Sequence, residues 1–177
     1  FGSSGDDSGL GIRVDSQDNV YVTGYTEGGL DGNTNSGKQD IFLVKYNSNG
    51  FKLWTKQLGT PLYDSANGLA IDSSDNIYVT GFTQGILYTY SGGKDVFVVK
   101  YDSAGTKQWT RQFGAPSFSQ KSQYNSSSQM VSSEDEGKKV SIDSTGNIYL
   151  TGNTQGGLDG NSNSGKEDIF LIKYKSM

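Results

Sequence analysis

Asn19-Val-Tyr-Val-Thr-Gly-Tyr-Thr26 returns as Asn76-Ile-Tyr-Val-Thr-Gly-Phe-Thr83 and again as Asn147-Ile-Tyr-Leu-Thr-Gly-Asn-Thr154. Alternating β-branched and aromatic residues followed by Thr-Gly read as a strand. Three copies in 177 residues make this a repeat protein.

Each copy sits in a longer phrase. Before the first lies Gly11-Ile-Arg-Val-Asp15, with Ile12 and Val14 on one face, and then a Ser16-Gln-Asp18 turn. After it come a Gly- and Asn-rich loop (27–38), a third strand Asp40–Tyr46, and the turn Asn47-Ser-Asn-Gly50. A fourth strand, Phe51-Lys-Leu-Trp-Thr-Lys-Gln-Leu58, ends at Gly59. The second repeat follows with strands at 68–72, 76–83, 95–101 and 107–113. The third has 139–143, 147–154 and 168–174 and no fourth strand. Phe1-Gly2 matches Leu58-Gly59 and Phe113-Gly114, the tail of a fourth strand. The frame breaks once. The interval from Trp109 to Asp143 exceeds that from Trp54 to Asp72 by 16 residues, in a Ser-rich polar stretch read as a surface excursion.

The second and third strands are apolar on both sides: Phe42, Val44 and Tyr46 on one face of the third, Ile41 and Leu43 on the other. Sheets covered on both faces need this. Four short strands per unit, a period of about 50 and no helix between units predict an all-β fold, a β-propeller of four-stranded antiparallel blades with about three blades present. The expected division is 1–10 as the tail of a preceding blade, 11–59 and 60–114 as blades, 115–138 as a polar inserted loop, and 139–177 as an incomplete blade.

Composition removes several function classes. A net charge of −4 argues against nucleic-acid binding, which leans on clustered Lys and Arg. No run of 18 apolar residues is present, so no helical membrane span is expected. With no Cys and no His, disulfides, Cys/His zinc sites and imidazole general bases are excluded.

The phrases Gly-Ile-Arg-Val-Asp, Asn-Val-Tyr-Val-Thr-Gly, Asp-Ile-Phe-Leu-Val-Lys-Tyr and Lys-Leu-Trp-Thr-Lys-Gln-Leu-Gly resemble the bacterial SBBP β-propeller repeat. The likeness covers nearly the whole chain outside the stretch 117–136. It implies a propeller in a secreted or surface-attached protein, hence an extracellular or cell-surface location, and carries no catalytic residues. Three blades do not close a ring. The expectation is a piece of a longer protein, because both ends cut through a strand; the alternative is a second copy that completes the ring.

The loops offer one metal candidate. Asp31-Gly-Asn-Thr-Asn-Ser-Gly-Lys-Gln-Asp40 recurs as Asp159-Gly-Asn-Ser-Asn-Ser-Gly-Lys-Glu-Asp168. Oxygens at Asp31, Asn33, Asn35 and Asp40, and at Asp159, Asn161, Asn163 and Asp168, have the alternation that wraps Ca²⁺, although the loop glycine falls one place later than in an EF-hand. The competing reading is a Gly/Asn loop in which Asp40 and Asp168 bond the turn backbone. Asp15, Asp72 and Asp143 read as turn caps, or as a ring of carboxylates at an axial opening. Trp54 and Trp109 read as packing between blades, or as sugar-stacking platforms. Tyr88 and Tyr90 break the repeat and are expected at the surface. Asp102–Trp109 is a poor match to a sialidase Asp-box, Glu134-Asp-Glu136 reads as a solvated acidic cluster, and Asn125-Ser-Ser127 is a glycosylation triplet. The expected function is a non-catalytic scaffold or adhesion module whose clustered loops (27–38, 85–94 and 155–166) take a protein or carbohydrate partner. The rival is a glycosidase or lyase, which needs two carboxyl groups roughly 5 to 9.5 Å apart.

Overall fold

The computed structural model describes residues 1–89, 92–116, 118–121, 128–158 and 161–175, and every regular element among them is a β-strand. The first sheet has the order β1 (Asp7–Val14), β2 (Val20–Thr26), β3 (Asp40–Tyr46), β4 (Lys52–Leu58). The second is β5 (Asp64–Ile71), β6 (Ile77–Thr83), β7 (Asp95–Tyr101), β8 (Lys107–Phe113). A small hairpin, β9 (Phe118–Lys121) with β10 (Ser128–Val131), precedes the third sheet of β11 (Glu136–Ile142), β12 (Ile148–Thr154) and β13 (Asp168–Tyr174). All neighbouring strands within the sheets are antiparallel.

The sheets stack face to face along their first strands. β5 packs against β1, β2 and β3 on one side and against β11 on the other. Between the first two sheets lies a core of Tyr21, Ile41, Leu43, Leu69, Val79, Phe97 and Val99; between the second and third lies one of Tyr78, Val96, Val98, Val140, Leu150 and Phe170. Successive residues of β7 thus serve two different cores, which is why the strand is apolar on both faces. Burying a side chain such as Phe97 stabilises by about 2–3 kcal/mol. These are blades of a β-propeller, two of four strands and one of three, forming an open arc.

The first strands begin earlier than the alternation suggests. β1 starts at Asp7, inside the segment read as a preceding tail, and β11 starts at Glu136, inside the stretch read as a polar loop, which also holds the β9–β10 hairpin. Each first strand carries an irregularity, between Gly9 and Gly11, Ala66 and Gly68, and Gly137 and Lys139. One extra residue reverses the side-chain alternation, so a two-residue period stops being visible at that point. The bulge also explains the recurring Thr-Gly. A β-carbon on Gly24, Gly81 or Gly152 would lie 1.8, 1.9 or 1.9 Å from the carbonyl oxygen of Ser8, Ser65 or Glu136. The preceding hydroxyls of Thr23, Thr80 and Thr151 donate to the carbonyls of Phe42, Phe97 and Phe170 at 2.6, 2.7 and 2.8 Å.

The outward faces differ from the buried middle. On β13, Ile169 and Leu171 are 88% and 74% exposed, whereas the equivalent Ile41 and Leu43 of β3 are buried. On the opposite face of the arc, Leu30, Phe42 and Val44 form a small cluster against which the Phe1 ring packs.

Candidate functional site

The loops joining second to third strands share one end of the blades with the connectors that lead from each fourth strand to the next blade. Gln39 bridges to Tyr63 in parallel, and Lys94 to Glu134. The Asp64 and Asp135 amides donate to the Gln39 and Lys94 carbonyls at 3.0 and 2.9 Å, and the Gln84 amide donates to the Tyr63 carbonyl at 3.0 Å. This places an exposed apolar group on adjoining segments: Leu62 and Tyr63 on the connector, Ile86 (70% exposed) and Tyr88 (64%) on the loop. The Lys38 ammonium stands 4.6 Å from the centre of the Tyr63 ring.

Buried and half-buried polar residues hold these loops. Gln57 Oε1 accepts from the Leu30 amide at 3.1 Å, while its Nε2 donates to the Gly28 carbonyl at 3.1 Å and to Asp40 Oδ2 at 2.9 Å. Gln112 repeats this with Leu87, Gly85 and Asp95, each at 2.8 Å, and also takes the Tyr88 amide at 3.0 Å. The glutamine therefore fixes the backbone that projects Ile86 and Tyr88. Beneath it, Asp64 accepts from the Thr60 hydroxyl at 2.8 Å, and Asp135 accepts from the Ala115 amide at 2.6 Å and from the Thr154 hydroxyl. Burial raises the Asp64 pKa above the usual carboxylate range; hydrogen bonds from Thr83 and Thr60 oppose this, and the neighbouring Asp40 charge adds to it. Asp40, Asp64, Asp95 and Asp135 are all withdrawn from solvent. Sequence reasoning passed over Gln57, Gln112 and Asp64, and read Asp135 as part of a solvated acidic cluster although it is buried. A usable signal was present: Gln stands three residues after Trp in both complete repeats.

The described residues read as calcium ligands are each engaged by a neighbouring group. Asp31 is held by Lys52 and by the Thr55 hydroxyl. Asn33 Nδ2 donates to the Leu30 carbonyl at 2.7 Å, and Asn35 Oδ1 accepts from the Gly37 amide at 2.9 Å. Asp40 takes the Ser36 amide at 2.8 Å. In the third repeat Asn161 donates to Leu158, Asn163 accepts from Gly165 at 2.7 Å, and Asp168 takes the Ser164 amide at 2.7 Å. Asp159 lies outside the described residues. The physical reason is local: Asn and Asp at these spacings satisfy nearby backbone groups first. Among the described residues no group of three or more acidic side chains converges.

Asp15, Asp72 and Asp143 cap the turns at the other end. Each accepts the amide four residues on, of Asn19, Asn76 or Asn147, at 2.9 Å, and the hydroxyl of Tyr21, Tyr78 or Tyr149 at 3.1, 3.0 and 3.0 Å. Burial works to raise the pKa of Asp15 and Asp72, but these hydrogen bonds outweigh it and both stand below their ordinary value. For Asp143 the bonds from Asn147 and Thr145 act in the same direction. Tyr21 and Tyr78 are raised, by burial and then by the adjoining carboxylate.

Trp54 and Trp109 are half-buried, meet Tyr21 and Tyr78 of their own sheets edge-on at 6.0 and 6.1 Å, and pack against the cores between blades. Asp102 caps its own turn through the Ala104 and Thr106 amides. Glu134 pairs with Lys94 at 3.6 Å and Glu136 with Lys138 at 2.9 Å, while Asp135 is buried. Tyr90 and the triplet at 125–127 lie outside the described residues.

No helix among the described residues is long and apolar enough to cross a membrane. The chain is 25% identical over 210 aligned positions, covering 96% of its length, to an uncharacterized WD repeat-containing protein of Acanthamoeba polyphaga mimivirus. It is 27% identical over 174, covering 88%, to the regulatory protein FlaEY of Caulobacter vibrioides. It spans only 14% and 17% of the length of these curated relatives. The family model for the SBBP β-propeller repeat matches residues 1–31, 53–88 and 108–159. Repeat phrases, blade topology and this match agree: the chain belongs to the SBBP β-propeller repeat family.

Proposed function

We infer that this chain is a non-catalytic scaffold segment whose loop end binds a protein partner. One observation carries the reading. Leu62, Tyr63, Ile86 and Tyr88 expose apolar and aromatic surface on adjoining segments whose backbone is pinned by Gln112 and by inter-segment hydrogen bonds. Rigid aromatic anchors ringed by polar loops suit protein recognition, because little conformational freedom is lost on binding. The resemblance to SBBP repeats supports an extracellular or cell-surface setting. The open arc supports ring completion by further blades, from more chain or a second copy.

A photo-crosslinking residue at position 88, introduced in the producing organism, tests this. The expected result is a discrete protein adduct on the cell surface that is lost when Ile86→Asp is added. Adducts unchanged by Ile86→Asp would sink the reading. A carbohydrate partner is the second reading, favoured by Tyr88 alone, and a glycan array with wild type and Tyr88→Ala separates the two.

A further inference from the structure

We propose that Asp40 and Asp64 hold one proton between them, and that this proton latches the first blade to the second. The backbone sets the two side by side. Gln39 and Tyr63 form a parallel bridge between the blades, and Asp40 and Asp64 each follow one residue on. The Asp64 amide donates to the Gln39 carbonyl at 3.0 Å. Both side chains are fully withdrawn from solvent.

One oxygen of each carboxyl group is already satisfied. Asp40 Oδ2 accepts from the Ser36 amide at 2.8 Å and from Gln57 Nε2 at 2.9 Å. Asp64 Oδ2 accepts from the Thr60 amide at 2.6 Å and the Thr60 hydroxyl at 2.8 Å. Asp40 Oδ1 is buried and accepts from no donor. A β-carbon on Gly59 would collide with that oxygen, so the glycine lets the connector backbone close onto it. The seam between the second and third blades shows the same approach. There Lys94 and Glu134 form the parallel bridge, and a β-carbon on Gly114 would meet both Asp95 Oδ1 and Asp135 Oδ2. The carboxyl groups that follow such a bridge therefore converge on one point of the seam.

Among the described residues no ion pair reaches Asp40 or Asp64. The charged groups on the segments around them are engaged elsewhere. Lys38 stands over the Tyr63 ring at 4.6 Å, Lys56 over the Trp54 ring at 5.8 Å, and Lys45 pairs with Asp15 at 3.6 Å. Glu27 takes Gln39 at 3.0 Å, Asp7 takes the Ser3 hydroxyl at 3.1 Å, and Glu136, across β5, pairs with Lys138 at 2.9 Å. Two carboxylates buried together cannot both stay ionised without a large cost, so the pair keeps a proton that either alone would release. Burial raises Asp64 above the ordinary range, against hydrogen bonds from Thr83 and Thr60, and the Asp40 charge adds to it. The proton joins Asp64 to the empty Asp40 Oδ1 as a charge-assisted hydrogen bond between blades. Its contribution is complete in acid and is lost to solvent as pH rises through the pair's raised value. The latch does not depend on what the loop end binds.

The test is carbon-13 NMR titration of the aspartate carboxyl groups in the full chain from about pH 3 to about pH 9, with amide hydrogen exchange at Asp64 over the same range. The Asp40 and Asp64 carbons are expected to shift together, in one step above the ordinary carboxylate range. The protection factor of the Asp64 amide is expected to fall about tenfold or more through that step. Asp40→Asn keeps an acceptor for Ser36 and Gln57 and sets an amide donor where Oδ1 stood, so its Asp64 protection is expected to stay level with pH. Separate titrations of the two carbons within the ordinary range would overturn the proposal, and the wild-type chain alone decides this. So would wild-type protection that does not follow the step, or the same pH dependence in Asp40→Asn. A melting temperature raised by Ca²⁺ or Na⁺ without a shared titration would place a metal ion where the proton is proposed, and would also overturn it.

Discussion

Gln112 donates to Asp95 at 2.8 Å, with both side chains withdrawn from solvent, and that one carboxamide ties the fourth strand of the middle blade to its long loop. Gln112→Ala strands the Leu87 and Tyr88 amides, the Gly85 carbonyl and one bond to the Asp95 carboxylate. The expected loss is about 2–4 kcal/mol, since unpaired buried groups cost more than a hydrogen bond returns. Gln57→Ala is expected to cost less, because Gln57 is only half-buried. Urea unfolding of the two variants side by side measures the difference.

Gly81→Ala is expected to be among the most damaging single changes. Its β-carbon would fall 1.9 Å from the Ser65 carbonyl oxygen, and backbone must move to admit it. A loss above about 3 kcal/mol, or failure to fold, is expected, in line with overpacking at its upper end. A Gly81→Ala chain with a wild-type urea midpoint would contradict the bulge geometry.

Position along the arc sets the cost of apolar substitutions. Phe97→Ala empties a fully buried site and is expected to cost about 3–5 kcal/mol. Ile169→Thr, on the exposed face of β13, is expected to change stability by less than about 0.5 kcal/mol. Equal losses for the two in thermal unfolding would show that the β13 face is covered in solution.

Two carboxylates are expected to answer pH with opposite signs. Asp64 has a raised folded pKa, so it binds its proton more tightly folded than unfolded. Its stabilising contribution exists at low pH and is lost as pH rises through that folded value. Asp64→Asn is therefore expected to be relatively better tolerated near neutral pH than in acid. Asp72 has a lowered folded pKa. Its contribution is present above the ordinary carboxylate range and is lost as pH falls through the folded value. Asp72→Asn is expected to destabilise near neutral pH and to converge on wild type toward about pH 2. Melting temperatures of both variants and wild type across this range check the two signs.

The motif Asn-x-Tyr-x-Thr-Gly-x-Thr was legible as a strand because each blade reuses it, and repetition with two-sided apolar patterning implies stacked sheets. The start of β1 was not legible, because the bulge before Gly11 reverses the alternation by one residue. The partners of the loop acids were not legible either. Asp31 and Asp40 look like partners along the chain, yet Lys52 and Thr55 take one and Gln57 and Ser36 take the other.

The chain's own order of residues determined the number of blades present, their strand order, and the position of the 16-residue excursion, since all of these follow from local periodicity and its interruption. Only the folded arrangement decided that Gln57 and Gln112 clamp the loops, that Asp64 lies buried beside Asp40, and that Leu62, Tyr63, Ile86 and Tyr88 stand exposed on adjoining segments. Those relationships join groups some 17 to 29 residues apart, across sheets and connectors. A pattern with a period of two carries no record of which distant amide a side chain will meet.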